Sequence, residues 1–243
     1  MTIAKLISYC IAVAMAIVIY WAQTQVSLFD SPIPQLPWGV VSLVDFFETV
    51  WSGVRTTSTL EWFAFLTGMA YVILAAKESI WCWLFAFISS SLFVYLCWIG
   101  QLYLESLLQL FYVVMAIIGY FTWSKGTNQS FKIKNWSVKA HILNIGVSGG
   151  LTVLLGCLFD SYTNQAAPYF DAFTTVFSLA ATFMVTRKVI ENWIYWIVID
   201  IFSIYLYADR GFELLALQMF IFTIIATVGF FSWRQKMKLQ MDA

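Results

Sequence analysis

The chain has 243 residues, of which 61% are hydrophobic, 19% aromatic and only 11% charged. A soluble domain carries about 25% charge, so this composition excludes one and points to a polytopic membrane protein. Thirteen basic and thirteen acidic residues cancel, so net charge suggests neither nucleic acid nor an acidic partner, and the placement of the charges carries the information.

A bilayer core about 30 Å thick needs roughly 20 largely apolar helical residues. Eight runs meet that requirement, at 6–24, 59–76, 79–98, 103–123, 140–158, 169–186, 190–207 and 212–233. The first follows a single lysine without a clear cleavage pattern and reads as a retained span. Residues 32–55, with Pro34, Pro37, Trp38, Asp45, Glu48 and Trp51, read as an amphipathic helix lying in the interface. Cys10, Cys82, Cys97 and Cys157 all fall in apolar runs without CxxC spacing, as small buried hydrophobes rather than disulfide partners or zinc ligands.

Orientation follows from lysine and arginine, which stay cytoplasmic when they flank short loops. Alternating the loops puts Lys5, Lys77, Lys125, Lys132, Lys134, Lys139, Arg187, Lys188, Arg234, Lys236 and Lys238 on one side, and only Arg55 and Arg210 on the other. Both termini are therefore expected in the cytoplasm.

A single constant shift, without a gap, superposes two parts of the chain. It lays Glu61 on Asp171, Lys77 on Arg187, Trp83 on Trp193, Ser90 on Asp200, and Gly119-Tyr-Phe-Thr-Trp123 on Gly229-Phe-Phe-Ser-Trp233. The spacing predicts an all-α membrane protein of two parallel three-helix repeats joined by a linker helix. The domains are then 1–58 (N-terminal helix and amphipathic segment), 59–124 (first repeat), 125–168 (linker), 169–234 (second repeat) and 235–243 (cytoplasmic tail). Parallel repeats place a substrate near the midplane, between the halves.

Polar groups inside spans need a partner or a cavity. Asn192, Trp196, Asp200, Ser203 and Tyr207 recur at helical spacing and share one face, which either lines a path or bonds neighbouring helices. Asp200 favours the first reading, because a carboxylate at membrane depth costs a few kcal/mol and no basic residue lies in a span interior. Gln109 and Gln218 fall nearly in register under the repeat, and amides offer both donors and acceptors. Ser89, Ser90 and Ser91 permit close helix approach or polar contact.

Six tryptophans (Trp38, Trp51, Trp62, Trp98, Trp123, Trp233) sit where interfacial belts are expected. Trp193 and Trp196, beside Asn192, could instead sandwich a flat cationic ring. Glu191 beside Arg187 and Lys188 reads as a helix-end ion pair, and His141 as an interfacial side chain. GxxxxGK[ST], HExxH and GxSxG are all absent, so a nucleotide motor, zinc hydrolase or serine hydrolase is not expected, nor any cofactor or metal. Asp200 and Glu191, roughly 13 Å apart along a helix, are too distant for an acid/base pair.

The segment Thr186-Arg-Lys-Val-Ile-Glu-Asn-Trp193-x-x-Trp196, with Ala75-Ala-Lys-Glu-Ser, Leu107-Leu-Gln109-Leu-Phe-Tyr112 and Gly119-Tyr-x-x-Trp123, resembles the bacterial PnuC vitamin transporters over residues 59–233. The resemblance implies uptake of nicotinamide riboside across the bacterial inner membrane by facilitated diffusion, with intracellular phosphorylation for NAD synthesis. It also implies a SWEET-like arrangement of three helices, a linker helix and three helices. On that basis the substrate-binding residues are expected to be Trp193, Trp196, Asn192, Gln109, Gln218, Asp200, Tyr112, Ser90 and Tyr207, with the tryptophans on the ring and the amides on polar groups. A thiamine or riboflavin carrier of the same family is the alternative within transport; a membrane vitamin receptor without transport is the alternative outside it. The expected partners are the riboside and the lipid bilayer, with no nucleic acid. A homotrimer, as among related transporters, is permitted by exposed aromatic helices but not required by any spacing.

Overall fold

The computed structural model describes residues 51, 54, 55, 57–100, 103–125, 132–162, 167–209 and 213–242. Among them are seven α-helices: α1 (Thr59–Ala76), α2 (Cys82–Ile99), α3 (Tyr103–Lys125), α4 (Val138–Tyr162), α5 (Pro168–Thr186), α6 (Asn192–Asp209) and α7 (Glu213–Asp242). Six are long and apolar enough to cross a membrane, and α6 is a shorter apolar helix. The protein is thus an all-helical, multi-pass membrane protein. The expected span 6–24 and nearly all of the interfacial segment lie outside the described residues. At the other end α7 is helical through Asp242, so residues 235–242, assigned to a tail, continue the last span as helix.

Local chemistry sets the helix ends. Ser58 caps α1 through a reciprocal pair, with Glu61 N donating to Ser58 Oγ at 3.2 Å and Ser58 N donating to Glu61 Oε2 at 2.6 Å. The equivalent start of α5 uses other means: Pro168 opens the helix, where a missing N–H costs nothing, and Asp171 lies in the first turn. The ends of α1 and α5 are alike. Ser79 N bonds Leu74 O and Glu78 N bonds Ala75 O; at the equivalent turn, Val189 N bonds Met184 O and Lys188 N bonds Val185 O. Both are Schellman caps. The turns that follow also match, with Cys82 N on Ser79 O and Trp83 N on Ile80 O, against Asn192 N on Val189 O and Trp193 N on Ile190 O.

The chain divides into two compact units. Among the described residues, one draws on Ser137–Ser178 and Val198–Phe220. Within it α4 buries His141, Ile145, Ser148, Thr152 and Gly156 along one face, while Leu143, Val147, Leu151 and Leu154 are exposed as lipid-facing groups would be. Gly156 lies under the ring of Tyr169, where a Cβ would clash. Phe202 stacks on Phe170 at 6.2 Å and meets Phe173 edge-on at 5.6 Å. His141, expected at an interface, is 2% exposed, because its side of α4 is the packed one.

The other unit comprises Thr57–Trp136, Leu179–Ile197 and Ile221–Ala243. In it α2 packs against both α1 and α3. Its core gathers Trp83, Trp123, Trp193 and Trp233 with Ala75, Ala76, Cys82, Val185 and Ile190. Trp83 meets Trp123 at 5.4 Å and 90°, Trp193 meets Trp233 at 5.5 Å and 89°, and Trp123 meets Trp233 at 6.1 Å. Trp123 and Trp233 therefore do not belong to an interfacial belt: they are 5% and 0% exposed. Their amphipathic rings turn inward because a glycine one turn before each, Gly119 and Gly229, leaves room for the neighbouring Trp83 and Trp193. Trp51 and Trp98 remain exposed, as a belt requires.

Candidate functional site

The segment between α5 and α6 is held from several directions. Lys134 N donates to Lys188 O and Ile190 N donates to Lys134 O, both at 3.0 Å, forming a short parallel bridge at Val189. Trp136 N donates to Glu191 Oε2 at 3.3 Å. Glu191, expected in a surface or helix-end ion pair, is 4% exposed rather than at the surface, and it holds the linker segment by accepting this bond. The segment is fixed in turn by the last turns of α7, where Gln240 Oε1 accepts from Ile133 N at 3.2 Å and Gln240 O accepts from Lys132 Nζ at 3.3 Å.

This frame positions Asn192, the first residue of α6. Its side chain is fully buried, and Nδ2 donates to Val189 O at 2.6 Å. The amide cannot be turned over, because a backbone carbonyl accepts only and would repel Oδ1. Oδ1 is buried and has no hydrogen-bond partner. A buried acceptor left unpaired costs about 1–3 kcal/mol, which makes it a place for a ligand's donor.

Trp193, the next residue, is 2% exposed and wedged edge-on against Trp233. A Cβ added at Gly229 would lie 2.9 Å from its ring, so both faces are largely committed to packing. Trp196 is only partly buried at the edge of the same core and keeps surface to offer. Ser90, on α2 of this unit, is buried, and its neighbour Ser89 donates to Ala64 O at 2.8 Å. Gln109 and Tyr112 are partly buried on α3, with Tyr112 edge-on to Phe111 at 5.9 Å. Asp200, Tyr207 and Gln218 fall in the other unit. There Asp200 is 4% exposed and Ser203 is buried one turn on, while Tyr207 and Gln218 are partly buried.

Sequence reasoning passed over two features of this region. Tyr71 packs against Trp83 at 6.1 Å and joins the aromatic core; no periodic signal marked it. Glu78 and Lys188 form an ion pair at 2.6 Å, which the repeat could have exposed, since they are equivalent positions of opposite charge.

Known proteins share this architecture. Residues 58–235 match the family model described as nicotinamide mononucleotide transporter. The nicotinamide riboside transporter PnuC of Escherichia coli (strain K12) is 27% identical over 213 residues, spanning 75% of this chain and 87% of that protein. The protein of the same name from Neisseria mucosa is 28% identical over 218 residues, spanning 79% and 82%. A crystal structure described as that of the vitamin B3 transporter PnuC superposes with a TM-score of 0.65 at 26% identity, covering 83% of this chain and 92% of that one. With the family model matching well over half of its length, the chain belongs to the nicotinamide mononucleotide transporter family.

Proposed function

We propose that this protein takes up nicotinamide riboside across a bacterial inner membrane by facilitated diffusion, supplying NAD synthesis after intracellular phosphorylation. The riboside is the substrate named for the relatives in Escherichia coli and Neisseria mucosa, whereas the family description names the mononucleotide. Charge decides between them. The interior of every described span lacks Lys and Arg, and α6 buries a carboxylate at Asp200. A phosphate dianion has nothing to pair with in such spans, whereas a cationic pyridinium ring with a neutral sugar does. This absence of basic residues beside a buried Asp200 is the observation that carries the reading.

The architecture of the proposal is two parallel three-helix repeats, 59–124 and 169–234, joined by the linker 125–168 in a SWEET-like order. Support comes from the paired Schellman caps and paired tryptophan–glycine contacts, which fall at equivalent positions of the two repeats. The basic-residue bias supports a cytoplasmic location for both termini. Asn192 offers an acceptor to a substrate donor, the carboxamide NH2 or a ribose hydroxyl. Trp196 faces the ring, Trp193 backs it, and Gln109, Gln218, Tyr112, Ser90 and Tyr207 supply further polar contacts. Asp200 is the counter-charge.

Uptake into proteoliposomes tests this. Labelled nicotinamide riboside should accumulate to equilibrium with no dependence on a sodium or proton gradient, while the mononucleotide is excluded. Preferential uptake of thiamine or riboflavin would move the substrate assignment within the family. Binding without uptake would make the protein a receptor.

A further inference from the structure

The turns that carry Glu78 and Lys188 break one local rule in the same way. In a Schellman cap the residue after the C-cap takes a left-handed backbone that glycine enters freely and other residues enter at a cost. Here that residue is Glu78 in one turn (φ 61°) and Lys188 in the other (φ 53°). Among the described residues these are the two non-glycine positions with positive φ. Forgoing glycine twice, at equivalent positions of the two repeats, implies that the side chains are needed.

Both side chains go to one place. Lys188 Nζ lies 2.6 Å from Glu78 Oε1, with 12% and 14% of the side chains exposed. The same ammonium sits 4.8 Å over the ring of Trp123. Lys236 Nζ adds a second tie, 3.3 Å from Glu78 Oε2 and 2.6 Å from Lys77 O. The end of α1 is thereby fastened to the α5–α6 turn and to α7.

The indoles beneath are fastened on one side only. Trp233 Nε1 donates to Ala75 O at 3.0 Å. The matching bond would run from Trp123 Nε1 to Val185 O, but Trp123 Nε1 is buried without a partner. A contact between the turns that leaves one donor unsatisfied depends more heavily on the ion pair above it.

We propose that Glu78 and Lys188 form a latch that ties the two three-helix repeats together at their cytoplasmic ends and opens once in each transport cycle. A largely desolvated pair suits that task, because separating the two charges lets both regain water, whereas neither is stable buried alone. The cycle itself rests on the transport reading above; the tie does not.

Two measurements test the two parts. Nitroxide labels at Lys77→Cys and Arg187→Cys, both exposed and equivalent under the repeat, with the four native cysteines replaced by serine, report the separation of the two turns by pulsed electron resonance in nanodiscs. The parent should give one dominant short distance. Glu78→Gln should raise the ratio of long to short distances about tenfold, the loss of a charge-assisted bond. Glu78→Gly should do the same without lowering the melting temperature, since glycine relaxes the turn. The reversed pair, Glu78→Lys with Lys188→Glu, made together with Lys236→Gln so that no like charge faces the new lysine, should restore the short distance. An unchanged distribution in both Glu78→Gln and Glu78→Gly overturns the latch. In liposomes, joining Glu78→Cys to Lys188→Cys with a short bismaleimide should cut riboside uptake about tenfold or more, while binding persists. Uptake at the unlinked rate overturns opening during the cycle. If the unlinked parent carries no riboside, the transport reading fails, and the distance measurement still decides the latch.

Discussion

Trp83 packs on Gly119 and Trp193 on Gly229, each ring edge-on to a further tryptophan. Asn192 and Asp200, by contrast, have Cys82 and Ser90 at the equivalent positions of the first repeat. The aromatic core obeys the repeat, and the polar residues of α6 depart from it. The packing that follows the sequence shift builds one shared aromatic core. On the function proposed above, polar groups present in one half alone meet a ligand without internal symmetry, and a nucleoside with a charged ring at one end and a sugar at the other is such an object.

The hardest blow to that comparison falls on the shared part. Trp233→Ala removes a ring with no exposed surface, together with the indole N–H that reaches Ala75 O. Emptying a site of this size costs about 3–5 kcal/mol, so thermal unfolding in detergent should show a large loss of stability. Gly119→Ala and Gly229→Ala come next, each forcing a Cβ against a tryptophan, at about 1–3 kcal/mol. Gly119 is the tighter of the two, its Cβ falling closer to the Trp83 ring than the Gly229 Cβ does to Trp193. Melting temperatures should therefore rank wild type above Gly229→Ala above Gly119→Ala. A reversed order would mean that the two contacts are not equivalent in solution.

How far the sequence could lead is clear from these same residues. Hydropathy locates all seven described helices to within a few residues, except at the end of α7, where Arg234, Lys236 and Lys238 end the apolar run but not the helix. The repeat pairs Trp83 with Trp193 and Gly119 with Gly229 before any coordinates are known, yet it does not say that these residues touch. Contact depends on tertiary packing, which is why Trp123 and Trp233 read as interfacial from hydropathy alone and are in fact core. Glu191 and His141 mislead for a similar reason. A charged or imidazole side chain near a span end normally meets water, and only the linker segment before α4 and the buried face of α4 reverse that. At the candidate site, Asn192 was legible as polar in an apolar run, but its amide orientation follows from the Val189 carbonyl, which no spacing reveals.

That orientation gives the asymmetric part its own test. Asn192→Ala removes an acceptor and should weaken riboside binding about 10- to 100-fold by titration of tryptophan fluorescence, with the melting temperature little changed. Because Oδ1 accepts only, the acid analogue, which carries a carboxylate in place of the carboxamide NH2, should bind the wild type at least about tenfold more weakly. In Asn192→Ala the gap between the two ligands should narrow. Equal narrowing in Cys82→Ala, at the equivalent position of the first repeat, would remove the asymmetry from the explanation.

The smallest expected effect lies where the two halves differ without polar consequence for a ligand. Ser89 Oγ donates to Ala64 O at 2.8 Å, tying α2 to α1, and the corresponding residues of the second repeat, Ile199 and Thr174, offer no such pair of groups. Ala64 O also accepts from Thr67 Oγ1 at 2.9 Å, so Ser89→Ala leaves it satisfied. The hydroxyl further sits 3.0 Å from where a Cβ at Gly68 would be, so its removal loosens a tight approach rather than opening a void. The net loss should be near the bottom of the usual range for a hydrogen bond, about 0.5 kcal/mol. Ser89→Ala combined with Thr67→Ala leaves the Ala64 carbonyl with its intrahelical bond alone, and should cost about 1 kcal/mol, the sum of two modest hydrogen bonds. A double variant that melts where the single ones do would show that the serine serves close approach alone, the role its small size suits as well as its hydroxyl does.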